Sequence, residues 1–134
     1  MLKIVVAHPH FMYPGGASIA VLETADRLAR AGDELHIVSL GRLPELTTPF
    51  TRLHFHDLGG PLSGDLRYWL TLGTVQRRFH RVVDAVAPDA LLASVFPANY
   101  WAFVYRARRP HIPCIWYCPE PSAFVHDWEV IRGV

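Results

Sequence analysis

With 134 residues, 51% of them hydrophobic and 19% charged, the chain can build one core and carries too much apolar side chain to be disordered. A net charge of +1 gives no reason to expect nucleic acid as a partner. No apolar run approaches the roughly 20 residues that cross a bilayer, and no small-residue cleavage site follows a long apolar segment near the start, so a cytoplasmic protein is expected.

Leu2 to Ala7, apolar apart from Lys3, reads as a strand buried on both faces. A loop follows that holds His8, Pro9 and His10 and ends in Gly15 and Gly16. Val21, Leu22, Ala25, Leu28 and Ala29 then recur at helical spacing, with Glu23, Asp26, Arg27 and Arg30 opposite them and Gly32 as the stop. Leu35 to Leu40 is a second strand, 41–51 a loop, and Arg52 to His56 a weakly alternating third strand at an edge. Gly59, Gly60, Pro61 and Gly64 mark another loop, and Asp65 is an N-cap. Leu72, Val75, Phe79, Val82 and Val86 form the stripe of one long helix that Pro88 ends. Ala90 to Ser94 is a fourth strand, Asn99 caps a helix through Arg108, and Pro113 to Cys118 is a fifth strand. Trp116 and Tyr117, as aromatic residues of a central strand, belong in the core. The tail "PEPSAFVHDWEVIRGV" has no clear period, and the chain shows no internal repeat.

Strands alternating with helices point to an α/β fold, a doubly wound Rossmann-like parallel sheet of about five strands in the order 3-2-1-4-5. Ligands in such sheets bind outside the carboxyl ends of the strands, beside strand one. The His8–Gly16 loop lies there, and so does the segment after the fifth strand. Cys114 and Cys118, four apart in an extended strand, would have Cα atoms ~13 Å apart, too far for a disulfide. Arginines gather at Arg77, Arg78 and Arg81 and again at Arg106, Arg108 and Arg109. These read either as solvated helix faces or as contacts for an anionic ligand or an acidic membrane surface.

The loop itself admits several chemistries. Gly15 and Gly16 before a helix suit either a tight turn or the approach of a phosphate to free N–H groups, since glycine permits positive φ and close contact. The third glycine of a dinucleotide fingerprint is missing, which argues against NAD. His8 and His10 share a strand face and so could ligate metal. "AHPH" resembles the Ala-His-Pro-Asp-Asp-Glu motif of zinc-dependent N-acetylglucosamine deacetylases, but Phe11 and Met12 stand in place of the acidic pair, so no metal is expected. "VVAHPH" also resembles flavodoxin-like quinone reductases, although Gly-Gly replaces the hydroxyl-rich flavin phosphate loop.

The fullest match lies in a third family. "MLKIVVAHPHFMYPGGASIAVLETADRLARAGDELHIVS" resembles the N-terminal segment of the retaining glycosyltransferases of family 4, which have the GT-B fold. Gly15-Gly16-Ala17, then Leu28-Ala29, Gly32 and Leu35, follow the family order, with Asp33 where histidine is common. "PDALLAS" resembles the family's fourth strand, and "IWYCPEPSAFVHD" resembles a Tyr-Cys-x-Glu-Pro-x-Arg segment of some members, with Ser122 or Ala123 near the arginine position.

The resemblance implies that the chain is the first half of a GT-B fold: a single Rossmann-like, acceptor-side domain over 1–134, incomplete by the family's standard. The nucleotide-sugar domain would be supplied C-terminally or as a separate half, and the isolated chain would be inactive. The implied activity is transfer of a sugar from a nucleotide-sugar to a glycan, lipid or small-molecule acceptor, with no cofactor and no metal. Gly15, Gly16 and Ala17 would receive the donor phosphates. His8 and His10 would line the acceptor side, and Glu120 and His126 are the candidates for a catalytic contact, since Cys118-Pro119 occupies the place where many members carry histidine. Peripheral contact with the inner membrane face is the further partner it implies. The alternatives are a non-catalytic binding module of the same fold and a flavodoxin-like oxidoreductase.

Overall fold

The computed structural model describes residues 1–119. In chain order the elements are β1 (Lys3–Ala7), α1 (Gly16–Arg30), β2 (Glu34–Ser39), α2 (Pro44–Thr47), β3 (His54–Asp57), α3 (Leu66–Leu70), α4 (Leu72–Val86), β4 (Ala90–Ala93), α5 (Ala98–Arg108) and β5 (Cys114–Trp116). The strands form one sheet in the order β3-β2-β1-β4-β5. Every pairing is parallel, with Ile4 opposite both Leu35 and Ala90. This is the doubly wound Rossmann-like arrangement expected from the alternation of strands and helices.

Alternate residues of a strand face opposite sides, so β1 feeds two cores. Ile4 and Val6 pack with Leu35 and Ile37 against Val21, Leu22 and Ala25 of α1. Val5 and Ala7 pack with Val38 and Leu91 against Phe79 and Val83 of α4 and Trp101 and Ala102 of α5. At the amino edge of the sheet the Asp33 carboxylate accepts the Leu2 N–H at 2.9 Å, and Asp89 accepts that of Lys3 at 2.8 Å. Asp33 thus ties β1 to the start of β2.

Four expectations change. The helix that Asp65 caps is not the one that carries the stripe: Asp65 caps the short α3, accepting the Arg67 N–H at 2.9 Å, and the stripe from Leu72 to Val86 lies wholly in α4, which begins after Thr71. The Thr71 hydroxyl bonds the carbonyls of Arg67 and Tyr68 at 3.0 and 3.1 Å, a local alternative to a continuous helical ladder. Pro97, not Asn99, occupies the N-cap of α5, because the helix begins at Ala98. The 41–51 loop contains the short α2, started by Pro44 at its first position. Trp116 is 64% exposed, because β5 is an edge strand rather than a central one. Its indole N–H donates to the Ser94 carbonyl at 2.9 Å, and Tyr117 is only partly buried. No disulfide joins Cys114 and Cys118.

The larger core contains a buried side-chain polar pair. The Trp101 indole N–H donates to the Tyr68 hydroxyl at 3.0 Å, and both side chains are fully buried. Tyr68→Phe is expected to cost about 1–2 kcal/mol, since it strands a buried donor without an acceptor. Urea unfolding would measure it. An unchanged midpoint would mean that water replaces the hydroxyl.

Candidate functional site

At the carboxyl edge of the sheet, β1 is followed directly by His8, which is 3% exposed. Its ring is held between two elements: Nδ1 lies 2.7 Å from Ser94 Oγ, just past β4, and Nε2 lies 3.1 Å from Ser18 Oγ in the first turn of α1. The Ser94 hydroxyl donates to the Ala7 carbonyl at 3.1 Å. It must therefore accept from His8, which puts the imidazole proton on Nδ1 and leaves Nε2 to accept from Ser18. Burial, with a smaller push from His10, lowers the His8 pKa from 6.5 to about 4. The ring is neutral at ordinary pH and has no nitrogen left for a ligand.

Beyond His8 the loop continues the β1–β2 pairing. Leu40 N–H donates to the Pro9 carbonyl and Phe11 N–H to that of Gly41, each at 2.9 Å. Phe11 is fully buried, against His8 and edge-on to Phe55. His10 is half-buried; its Nδ1 accepts the Met12 N–H at 3.2 Å and its ring meets Tyr13 edge-on. Burial lowers its pKa as well.

His10 borders an open groove of about 1020 Å³ over the ends of β1, β2 and β3. Tyr13, Arg42, Asp57 and Arg67 line it, with the loop Gly60–Asp65 as its far wall. Arg42 bonds Asp57 at 3.1 Å and lies over the Phe55 ring at 4.6 Å. Arg67 and Asp65 pair at 2.7 Å. The groove therefore offers paired charges and aromatic edges, a lining suited to a polar, hydroxyl-bearing molecule.

On the other side of the loop, α1 starts at Gly16 with Gly15 as its N-cap, in extended conformation at φ −74 and ψ 156. Neither glycine has positive φ, and a Cβ built on either would meet nothing within 4 Å. The chain's own geometry thus does not require glycine at these positions, which removes the tight-turn explanation for the pair. The first turn of α1 carries no acidic residue, and no side chain caps it. The Gly16 and Ala17 N–H groups have no acceptor among the described residues. An exposed helix start of this kind favours an anion.

Gly15, Gly16, Ala17, His8 and His10 thus all lie in one loop and helix start, but His8 faces inward while His10 faces the groove. Glu120 and His126 lie outside the described residues. Sequence reasoning missed Ser18 and Ser94. Their positions, in the first turn of α1 and at the carboxyl end of β4, are where such sheets gather site residues, and that signal was available. Arg42 and Asp57 carry no local pattern.

The family model described as Glycosyltransferase Family 4 matches residues 14–123. No curated protein matches the chain. Among solved structures, Acinetobacter baumannii MurG is similar with TM-score 0.66 and 14% identity, over 87% of this chain and 35% of that one. Glycyrrhiza uralensis UGT73P12, complexed with glycyrrhetinic acid 3-O-monoglucuronide, is similar with TM-score 0.60 and 16% identity, over 93% and 29%. The C-terminal domain of a Pyrococcus furiosus hydrogenase is similar with TM-score 0.56 and 13% identity, over 86% and 90%. At these identities the likeness concerns the fold alone. The chain spans about a third of the length of MurG and of UGT73P12.

Proposed function

The chain belongs to glycosyltransferase family 4, and we propose that it is the acceptor-side domain of a two-domain enzyme that moves a sugar from a nucleotide-sugar to an acceptor with retention at the anomeric carbon. The observation that carries this reading is the unobstructed start of α1, where two glycines leave space that no part of the described chain fills. The donor diphosphate would sit against the Gly16 and Ala17 N–H groups, with Gly15 giving clearance. The helix dipole and these donors would offset the charge that builds on the leaving diphosphate, so no metal is needed. His8, neutral and bonded to Ser18 and Ser94, would hold the loop at a fixed distance from α1 and β4. His10 and the Arg42–Asp57 pair would meet the hydroxyls of the acceptor in the groove.

A C-terminal nucleotide-sugar domain, in the same polypeptide or a separate one, would form the opposite wall. Leu66, Trp69 and Leu70 on α3, next to the groove, are 74%, 47% and 80% exposed. Such an apolar rim supports peripheral contact with the inner membrane face and a lipid-borne acceptor.

The test is a transfer assay on the 134-residue chain alone and after joining it to its C-terminal domain, each with and without a chelator. The chain alone is expected to bind nucleotide-sugar no better than millimolar and to transfer none, because one wall leaves the cleft open to water. The joined protein is expected to turn over equally with chelator present. Micromolar binding by the isolated chain, without turnover by the joined protein, would favour a non-catalytic binding module.

A further inference from the structure

The two arginine clusters that are separate in sequence meet in space. Arg77 and Arg81 lie on the outer face of α4, Arg108 ends α5 and Arg109 follows it, and together they line a groove of about 460 Å³. From this geometry we infer that the α4–α5 groove binds a phosphate group, held chiefly by the guanidinium groups of Arg77, Arg81 and Arg108.

Charge within the groove is unbalanced. Asp84 is the one carboxylate among its lining residues. It is already engaged twice: Oδ1 accepts the Tyr105 hydroxyl at 2.9 Å, and Oδ2 accepts from Arg109 at 3.3 Å. Arg81 and Arg108 have no carboxylate partner among the described residues, and Arg77 bonds only the Thr74 hydroxyl, at 3.2 Å. Fold mechanics explain part of this arrangement. Arg106 and Arg108 fall in the last turn of α5, where the helix dipole favours cations. No such reason applies to Arg77 and Arg81, which sit in the body of α4.

His80 reports the same surplus from inside the groove. Its pKa is lowered, first by burial and then by Arg108, with Arg109 adding and Asp84 opposing. The Gln76 amide N–H₂ donates to His80 Nε2 at 2.9 Å, which leaves the ring neutral with its proton on Nδ1. The site's positive charge is thus all guanidinium, the group whose planar fork matches phosphate oxygens two at a time. Arg108 and Arg109 lie at the end of α5 remote from its start after β4, on the opposite edge of the sheet from His8 and Ser94. The groove is therefore separate from the proposed donor loop, and the inference does not rest on glycosyl transfer.

A phosphate group can arrive on a soluble ester or on a lipid headgroup, and two probes separate these sources. Inorganic pyrophosphate would be titrated into the full chain and followed by amide chemical shifts. Vesicles of phosphatidylglycerol in phosphatidylcholine would be used for co-sedimentation. Expected are saturable shifts at α4 and α5, or vesicle binding, weakened at least about tenfold in Arg81→Gln/Arg108→Gln. The control Arg27→Gln/Arg30→Gln, which removes the same charge from exposed positions of α1, should bind like the parent. Groove shifts with pyrophosphate would assign a soluble ester; arginine-dependent vesicle binding without them would assign a lipid. Equal weakening in both double variants, shifts confined to the start of α1, or binding of neither probe would overturn the inference. Arg77→Gln, a single exposed change, gives the same readout should the double variant fail to fold.

Discussion

Lowering the pH from 7 to about 4.5 is expected to cost the fold about 2.5 kcal/mol through His8 alone. The folded pKa is about 4, against 6.5 for the free side chain. Between these values the unfolded chain holds a proton that the folded chain does not, so stability rises with pH across this window. The contribution is complete above the unfolded pKa and declines as pH falls toward the folded one. The structural cause is direct. A second proton on the ring would have to sit on Nε2, where the Ser18 hydroxyl now donates, inside a site 3% exposed. His10, His56 and His80 are lowered too, so their effects have the same sign. Urea unfolding at both pH values would measure the loss, and His8→Asn should remove His8's share of the pH slope. A slope unchanged in that variant would show that His8 titrates normally and that its two hydroxyl contacts do not hold.

Gly16→Val is expected to reduce transfer by the joined two-domain enzyme by at least about a hundredfold, with melting unchanged. The unchanged melting follows from the fold. Gly16 is helical, its φ is not positive, and a Cβ there meets nothing within 4 Å. Valine is also a slightly better helix residue than glycine. The loss of transfer follows from the proposed ligand. A branched side chain at the first helical position would stand where a phosphate must approach the N–H groups. Gly16→Ala should fall between the two. The measurements are kcat/KM and Tm on the same preparations. Turnover within a few-fold of the parent would remove the glycine pair from the donor site, whereas a large fall in Tm would mean that the space is filled.

Much of this molecule could be read along the chain because the signal was local. The apolar, β-branched run at 4–7, too short for a helix and closed by Pro9, has the pattern of a buried parallel strand, and the stripe of Val21, Leu22 and Ala25 needs only its own periodicity to define the inner face of α1. From the alternation of such segments, the handedness of crossovers limits the sheet to few orders, and the observed β3-β2-β1-β4-β5 is the doubly wound one. The place of the candidate site followed, since a glycine-bearing loop after the central strand meets the switch point in that topology.

What lies across the loop was decided by tertiary structure. His8 reads the same in sequence whether it faces solvent or a core; its state depends on Ser94, 86 residues away, and on the burial that both impose. Trp116 looked like core because apolar content marks a strand, but content does not tell a central strand from an edge. The helix after Asp65 broke at Thr71 because a hydroxyl there competes for carbonyls, a choice that the hydrophobic stripe beyond it does not encode. Likewise two arginine clusters became one groove only when α4 packed beside α5. Periodicity is a property of neighbours along the chain and fixes which face each element buries. Partnership between side chains far apart depends on register and strand order, and these are set by the packing of all the elements together.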